Sequence, residues 1–175
     1  TLEDPWRRHM ADSAQLLRFM PPGGQNLVDV GSGAGLPGLV LAVLGVPNVT
    51  LIDSDQRKGA FLREVARVTE TAVDIRSARV EEITDLKADV LTARAFAPLN
   101  RLLTWTTGFR HSNTVGLLLK GRAYEEELTI ARKEWSMSAE PHKSAGHDDS
   151  VILVLKDIRH VDASAESAAP DHRRR

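Results

Sequence analysis

The chain contains no cysteine. Disulfide frameworks, thiolate zinc sites and cysteine nucleophiles are excluded together. So is any base methylation that attacks a pyrimidine ring carbon through a thiolate. An excess of charge of either sign is also missing: 23 Lys and Arg stand against 24 Asp and Glu, a formal charge of -1. A nucleic-acid site would therefore have to be a local cluster. No stretch is long and apolar enough to span a bilayer; the richest, residues 36–46, is interrupted by Pro37, Gly38 and Gly45. No secretory signal and no internal repeat is recognisable, and a cytoplasmic location without membrane contact is expected. What is present is a core-forming composition, 42% hydrophobic and 27% charged over 175 residues, the size of one domain.

Met10, Ala14 and Leu17 at helical spacing predict a helix over residues 6–19, stopped by Pro21, Pro22, Gly23 and Gly24. Short apolar runs then alternate with amphipathic ones. Strands are expected at 26–30, 49–53, 73–76, 89–93, 114–120 and 151–155, and helices at 36–44, 57–68, 99–107 and 123–134. This cadence implies right-handed crossovers and an α/β fold with a doubly wound, mainly parallel sheet. The last two strands lack a crossover between them, which suits an antiparallel pair at one edge. The expected organisation is a helical segment at 1–24, the main domain at 25–160 and a flexible tail at 161–175. That tail is rich in Ala, Ser and Glu and ends in Arg173, Arg174 and Arg175.

The chemistry-bearing motif is Val28-Asp29-Val30-Gly31-Ser32-Gly33-Ala34-Gly35, between a strand and a helix. Glycines let the backbone turn sharply and approach a ligand with no Cβ in the way, and the helix beyond offers unpaired N–H groups. Asp53, at the end of the second strand, can accept both hydroxyls of a ribose. Two cofactor classes use this geometry. Nicotinamide dinucleotides favour G-x-G-x-x-G, whereas the third glycine here is Gly35, with Leu36 at the dinucleotide position. A carboxylate such as Asp29, just ahead of the turn, also suits the cationic end of S-adenosylmethionine.

The extended segment Asp29-Val30-Gly31-Ser32-Gly33-Ala34-Gly35-Leu36-Pro37-Gly38 closely resembles the signature of the bacterial 16S ribosomal RNA guanine-N7 methyltransferases, the glucose-inhibited division protein B family. Arg8-His9-Met10-Ala11-Asp12-Ser13 is similar to that family's R-H-x-x-D-S helix, and Arg79-Val80-Glu81-Glu82 to its R-x-E-E turn. Arg94-Ala95-Phe96-Ala97-Pro98-Leu99 and Leu119-Lys120-Gly121 resemble its R-A-F/V-A-x-L and L-K-G segments. The likeness spans residues 8–156.

The resemblance implies a seven-stranded, Rossmann-like class I methyltransferase that uses S-adenosylmethionine and releases S-adenosylhomocysteine. Its partner would be 16S ribosomal RNA, in the small subunit or an assembly intermediate, and the protein would act as a monomer. Asp29, Gly31, Ser32, Gly33, Gly35 and Leu36 would contribute the cofactor turn, Asp53 the ribose contact, and Val80 and Glu81 the flanks of the adenine. Arg94 would sit where methyl donor and base meet, and His9 and Asp12 near the pocket. For the RNA, Arg79 and Lys120 are candidate phosphate contacts, Phe96 a stacking residue and His9 a further contact. No metal is expected. Guanine N7 carries an in-plane lone pair and no proton, so its methylation needs alignment rather than a general base. No N/D-P-P-Y/F segment, which holds exocyclic amino groups, follows the fourth expected strand; Arg94-Ala95-Phe96-Ala97 stands there instead.

Overall fold

The computed structural model describes residues 6–23, 26–145 and 149–161. Of the expected tail, only Val161 falls within the described residues. Seven strands form one sheet: β1 (Leu27–Val30), β2 (Val49–Ile52), β3 (Val73–Arg76), β4 (Ala88–Arg94), β5 (Arg110–Lys120), β6 (Trp135–Lys143) and β7 (Val151–His160). Their order is β3-β2-β1-β4-β5-β7-β6. β1 pairs in parallel with β2 and β4, β2 with β3, and β4 with β5. The chain thus winds outward from β1 in one direction and from β4 in the other. Between these two strands the carboxyl ends diverge, and ligands of open α/β sheets bind there.

The antiparallel edge is larger than expected. β7 does pair antiparallel with β5, but β6 lies outside it and forms the sheet's edge. β6 alternates Trp135, Met137 and Ala139 inward with Ser136, Ser138 and Glu140 outward. That is a strand pattern, but it carries Pro141, which only an edge strand tolerates because it cannot donate to a second neighbour.

Helices cover both faces: α2 (Gly38–Val43), α3 (Gln56–Val68), α4 (Leu99–Trp105) and α5 (Tyr124–Ala131) follow the single α-helical turn α1 (Asp12–Ala14). α1 is the middle of a helical run that begins as a π-helix (Trp6–Ala11) and ends as a 3-10 helix (Gln15–Phe19). Successive strand residues face opposite sides of the sheet. Val28, Val30 and Ile52 pack with Leu99 and Leu102 of α4, while Leu27 and Leu51 pack with Leu39 and Leu41 of α2 and Leu62 of α3. α2 comes so close to the sheet that a Cβ on Gly38 would lie 2.5 Å from Asp29 Cβ and 2.6 Å from Leu51 Cδ2. Among the described residues no helix is long and apolar enough to cross a membrane.

Candidate functional site

Two cavities open at the carboxyl ends of the parallel strands. The first, about 410 Å³, is bordered by Gly31 after β1, Asp53 after β2, Val80 and Glu81 after β3, and Ala95 and Phe96 after β4. The second, about 470 Å³, is bordered by Arg94, Phe96 and Pro98 on one side and by Lys120, Gly121 and Glu127 on the other, with Asp12 at its rim. Ala95 and Phe96 belong to both. The Phe96 ring lies over the glycine turn, since a Cβ on Gly31 would fall 2.1 Å from its Cδ2. It meets Trp105 edge to face at 5.8 Å. Ala95, just before it, holds a left-handed φ of 46°, a backbone state that a non-glycine residue adopts only when its surroundings impose it.

The turn is built from backbone. Gly31, Gly33 and Gly35 have φ of 67°, 55° and 91°, which L side chains disfavour. The N–H groups of Gly31 and Ser32 both donate to Ile52 O (2.8 and 3.0 Å), tying the turn to β2. Asp53 joins the two from the far side: its Oδ2 accepts the Gly33 N–H and its Oδ1 the Asp55 N–H, each at 2.9 Å. Lys58 Nζ stands 3.7 Å from the same carboxylate. A carboxylate oxygen accepts more than one hydrogen bond, so Asp53 is oriented by the backbone with capacity left on the cavity side.

Asp29 is placed differently from the expectation. It is wholly buried beneath the turn. Its Oδ1 accepts from Thr92 Oγ1 at 2.7 Å and its Oδ2 from the Gly38 N–H at 3.2 Å. Burial pushes its carboxyl up to about 6, against these two hydrogen bonds, which favour the charged form. Asp29 therefore fastens β1, β4 and α2 together and borders neither cavity. Ser32 is buried as well, donating to the Asp29 carbonyl at 2.9 Å. Gly35 and Leu36 border an apolar groove against α2 and the N-terminal helix, on the outer side of the turn.

The remaining expectations divide by cavity. Val80 is buried at the floor of the first, and Glu81 is exposed at its lip beside Arg79, whose Nη1 lies 3.5 Å from Glu81 Oε1. Arg94 is half-buried in the wall of the second. Lys120, expected as a phosphate contact, is buried, and its Nζ donates to Ala97 O at 2.9 Å and Glu127 Oε2 at 2.7 Å. His9 borders neither cavity, and its buried Nδ1 has no partner among the described residues. Sequence reasoning missed Glu127 and Trp105. Glu127 sits in a run of three glutamates that reads as a solvated helix face, and nothing local marks the one turned inward.

The family model for rRNA small subunit methyltransferase G, GidB, matches residues 1–151. The chain belongs to this family. Ribosomal RNA small subunit methyltransferase G of Paramagnetospirillum magneticum is 52% identical to this methyltransferase over 160 residues, which are 90% of this chain and 77% of that one. The solved structure of a SAM-dependent methyltransferase from Aquifex aeolicus superposes with a TM-score of 0.68 at 14% identity, covering 88% of this chain and 94% of that one. The glycopeptide N-methyltransferase MtfA complexed with S-adenosylmethionine superposes with a TM-score of 0.69 at 11% identity, covering 85% and 93%. The fold is that of the class I, Rossmann-like methyltransferases, whose cofactor is S-adenosylmethionine.

The first cavity suits that cofactor. Its Asp53 carboxylate is held toward the space a ribose would fill, and Val80 supplies an apolar wall for a purine. At Gly31 the backbone borders the cavity with no room for a side chain. Among the described residues no group of three or more His, Asp or Glu could hold a metal ion.

Proposed function

We propose that the chain transfers a methyl group from S-adenosylmethionine to N7 of a guanine in 16S ribosomal RNA. The observation that carries this reading is the pair of adjoining cavities with one aromatic wall: a donor cavity with a ribose-binding carboxylate, and beside it an acceptor cavity large enough for an extruded base. When bound, S-adenosylmethionine supplies an electrophilic methyl group on a sulfonium.

The protein's own residues then have four tasks. Asp53 fixes the ribose and so sets where the methyl stands. Gly31 keeps the approach free of side chains. Arg94 borders the acceptor cavity beside the shared Ala95 and Phe96 and offsets the negative partial charge on the base or an adjoining phosphate. It cannot grip N7 itself, because that lone pair must stay open to the methyl. Phe96 supplies the face on which a flipped base stacks, a contact that partly replaces the stacking lost on leaving the RNA. No proton is removed at N7, so a general base is unnecessary, and both carboxylates of the acceptor cavity are engaged, Glu127 by Lys120 and Asp12 by Gln15 and Ser144.

The expected partner is the small ribosomal subunit or its assembly intermediate, met in the cytoplasm by a monomer. With a formal charge of -1, affinity for RNA is expected to be modest and salt-sensitive, and recognition to depend on the shape of the particle. The test is transfer of labelled methyl from S-adenosylmethionine to small subunits and to naked 16S RNA lacking the mark, followed by borohydride–aniline cleavage, which reports N7-methylguanine. One cleaved guanine is expected. Label on another atom or base would keep the transferase chemistry and discard the guanine-N7 assignment.

A further inference from the structure

We propose that the Lys120–Glu127 pair reads the O6 and N1–H edge of the target base and so selects guanine; this rests on the second cavity being the acceptor site. Lys120 ends β5, and Glu127 projects from α5 onto it. Two of the three Nζ protons of Lys120 go to Ala97 O and Glu127 Oε2, leaving one. Glu127 Oε2 also accepts the Leu99 N–H at 2.8 Å. Its Oε1 accepts from none of the described residues, and its side chain is 25% exposed where it borders the cavity. One donor and one acceptor thus stand side by side, each locked by its other bonds.

Guanine presents the complement of that pattern: O6 accepts, and the adjacent N1–H donates. An adenine edge is reversed at both positions, with a donor at N6 and an acceptor at N1. An adenine would bring its amino group against the Lys120 ammonium and its N1 lone pair against the Glu127 carboxylate. Both would be left unpaired in a largely buried site, and mismatched buried polar groups are how binding sites reject near-isosteres most strongly. The same pairing orients the base. N7 lies next to O6 on the opposite side from N1, so a guanine held by O6 and N1 turns N7 away from Glu127. Arg94, which ends β4 opposite Leu119 of β5, borders the same cavity, and in the proposed pose N7 turns toward Arg94 and the donor cavity. N7 accepts no bond in this arrangement and stays open.

The test uses small-subunit RNA assembled by splinted ligation, with guanine, inosine or 2,6-diaminopurine at the methylated position, reconstituted into particles. Inosine keeps O6 and N1–H but lacks the 2-amino group; 2,6-diaminopurine keeps the 2-amino group and N7 but reverses the edge. Wild-type kcat/KM is expected to fall less than about threefold with inosine and about a hundredfold with 2,6-diaminopurine, the discrimination typical of a two-point base contact. Glu127→Gln, shown to be folded by thermal melting and by retained S-adenosylhomocysteine binding, is expected to narrow the guanine to 2,6-diaminopurine ratio to below about tenfold. A purely structural Glu127 would lower both rates and leave their ratio intact, which would overturn the proposal. So would a large loss with inosine, or a ratio that collapses in Asp12→Asn while surviving in Glu127→Gln. Absence of label on any guanine with the wild-type protein would instead remove the guanine-N7 reading beneath it.

Discussion

The two cavities at the top of the sheet are made in different ways. The donor cavity is set by main chain: a turn of three left-handed glycines whose Gly31 borders it, two N–H groups donated to Ile52 O, and a carboxylate oriented by the N–H groups of Gly33 and Asp55. The acceptor cavity is made of side chains from distant segments: Asp12 before the sheet, Arg94 and Phe96 after β4, Lys120 at the end of β5 and Glu127 on α5. A backbone site is rigid by construction and nearly indifferent to what surrounds it. A side-chain site holds its shape only while several residues hold each other, as Lys120, Ala97, Leu99 and Glu127 do. The methyl donor is one molecule for many enzymes; the acceptor is what distinguishes them.

Substitutions should separate the two. The largest effect is expected from Gly31→Val. Its φ of 67° and the Phe96 ring 2.1 Å from a Cβ leave no room, so S-adenosylhomocysteine affinity measured by calorimetry should fall by more than about a hundredfold. Because the clash also pushes on Phe96, which both cavities share, RNA binding in a filter assay should weaken too, but less; a matched loss of RNA affinity would mean that the cavities are not separable. Asp53→Ala removes an ionised acceptor from the ribose contact. A loss of about 2 kcal/mol in cofactor binding is expected, here with RNA affinity spared because Asp53 does not border the acceptor cavity.

Asp29→Asn probes the foundation common to both. A buried carboxyl raised to about 6 is stabilising while protonated and becomes a cost as pH rises. The native state holds that proton between about 4 and 6 while the unfolded chain has lost it, so the carboxyl's contribution to stability falls through this window. The difference in unfolding free energy between wild type and Asp29→Asn should drop by about 2–3 kcal/mol from pH 4 to pH 7. A flat difference in urea titrations would mean that Asp29 ionises freely. The smallest effect is expected at Arg79, which is exposed at the donor lip. Arg79→Ala should weaken RNA binding about two- to threefold and flatten its salt dependence by about one phosphate contact.

The contrast also explains what could be read in advance. Backbone sites are written locally. G-x-G-x-G fixes the turn and Asp53 lies one strand later, so the donor cavity and its cofactor class were visible in two short segments. The parallel core was visible for the same reason, because β1, β2 and β4 are short apolar runs buried on both faces. Side-chain sites are written across the chain. Nothing around Glu127 marks it apart from Glu125 and Glu126, and Lys120 carries no local sign that Ala97 and Glu127 will bury it. A carboxylate before a glycine turn serves equally above the turn or beneath it, and the burial of Asp29 under the turn shows only through its partners, Gly38 and Thr92, the latter 63 residues away. β6 was overlooked because Pro141 argues against a strand until an edge position is known, and the π-to-3-10 winding of the N-terminal run has no counterpart in a 3.6-residue pattern.

An open sheet ends in two rows of unsatisfied peptide groups, and here each is guarded. At the β3 edge Arg76 bridges Asp74 at 2.6 Å and Asp85 at 3.2 Å. The β6 edge offers Glu140 and Lys143 beside a proline that has no N–H to give. A second chain laying a strand along either border would have to displace fixed charge or skip a rung. Charge and a missing N–H are also what make a border a poor template for cross-β stacking.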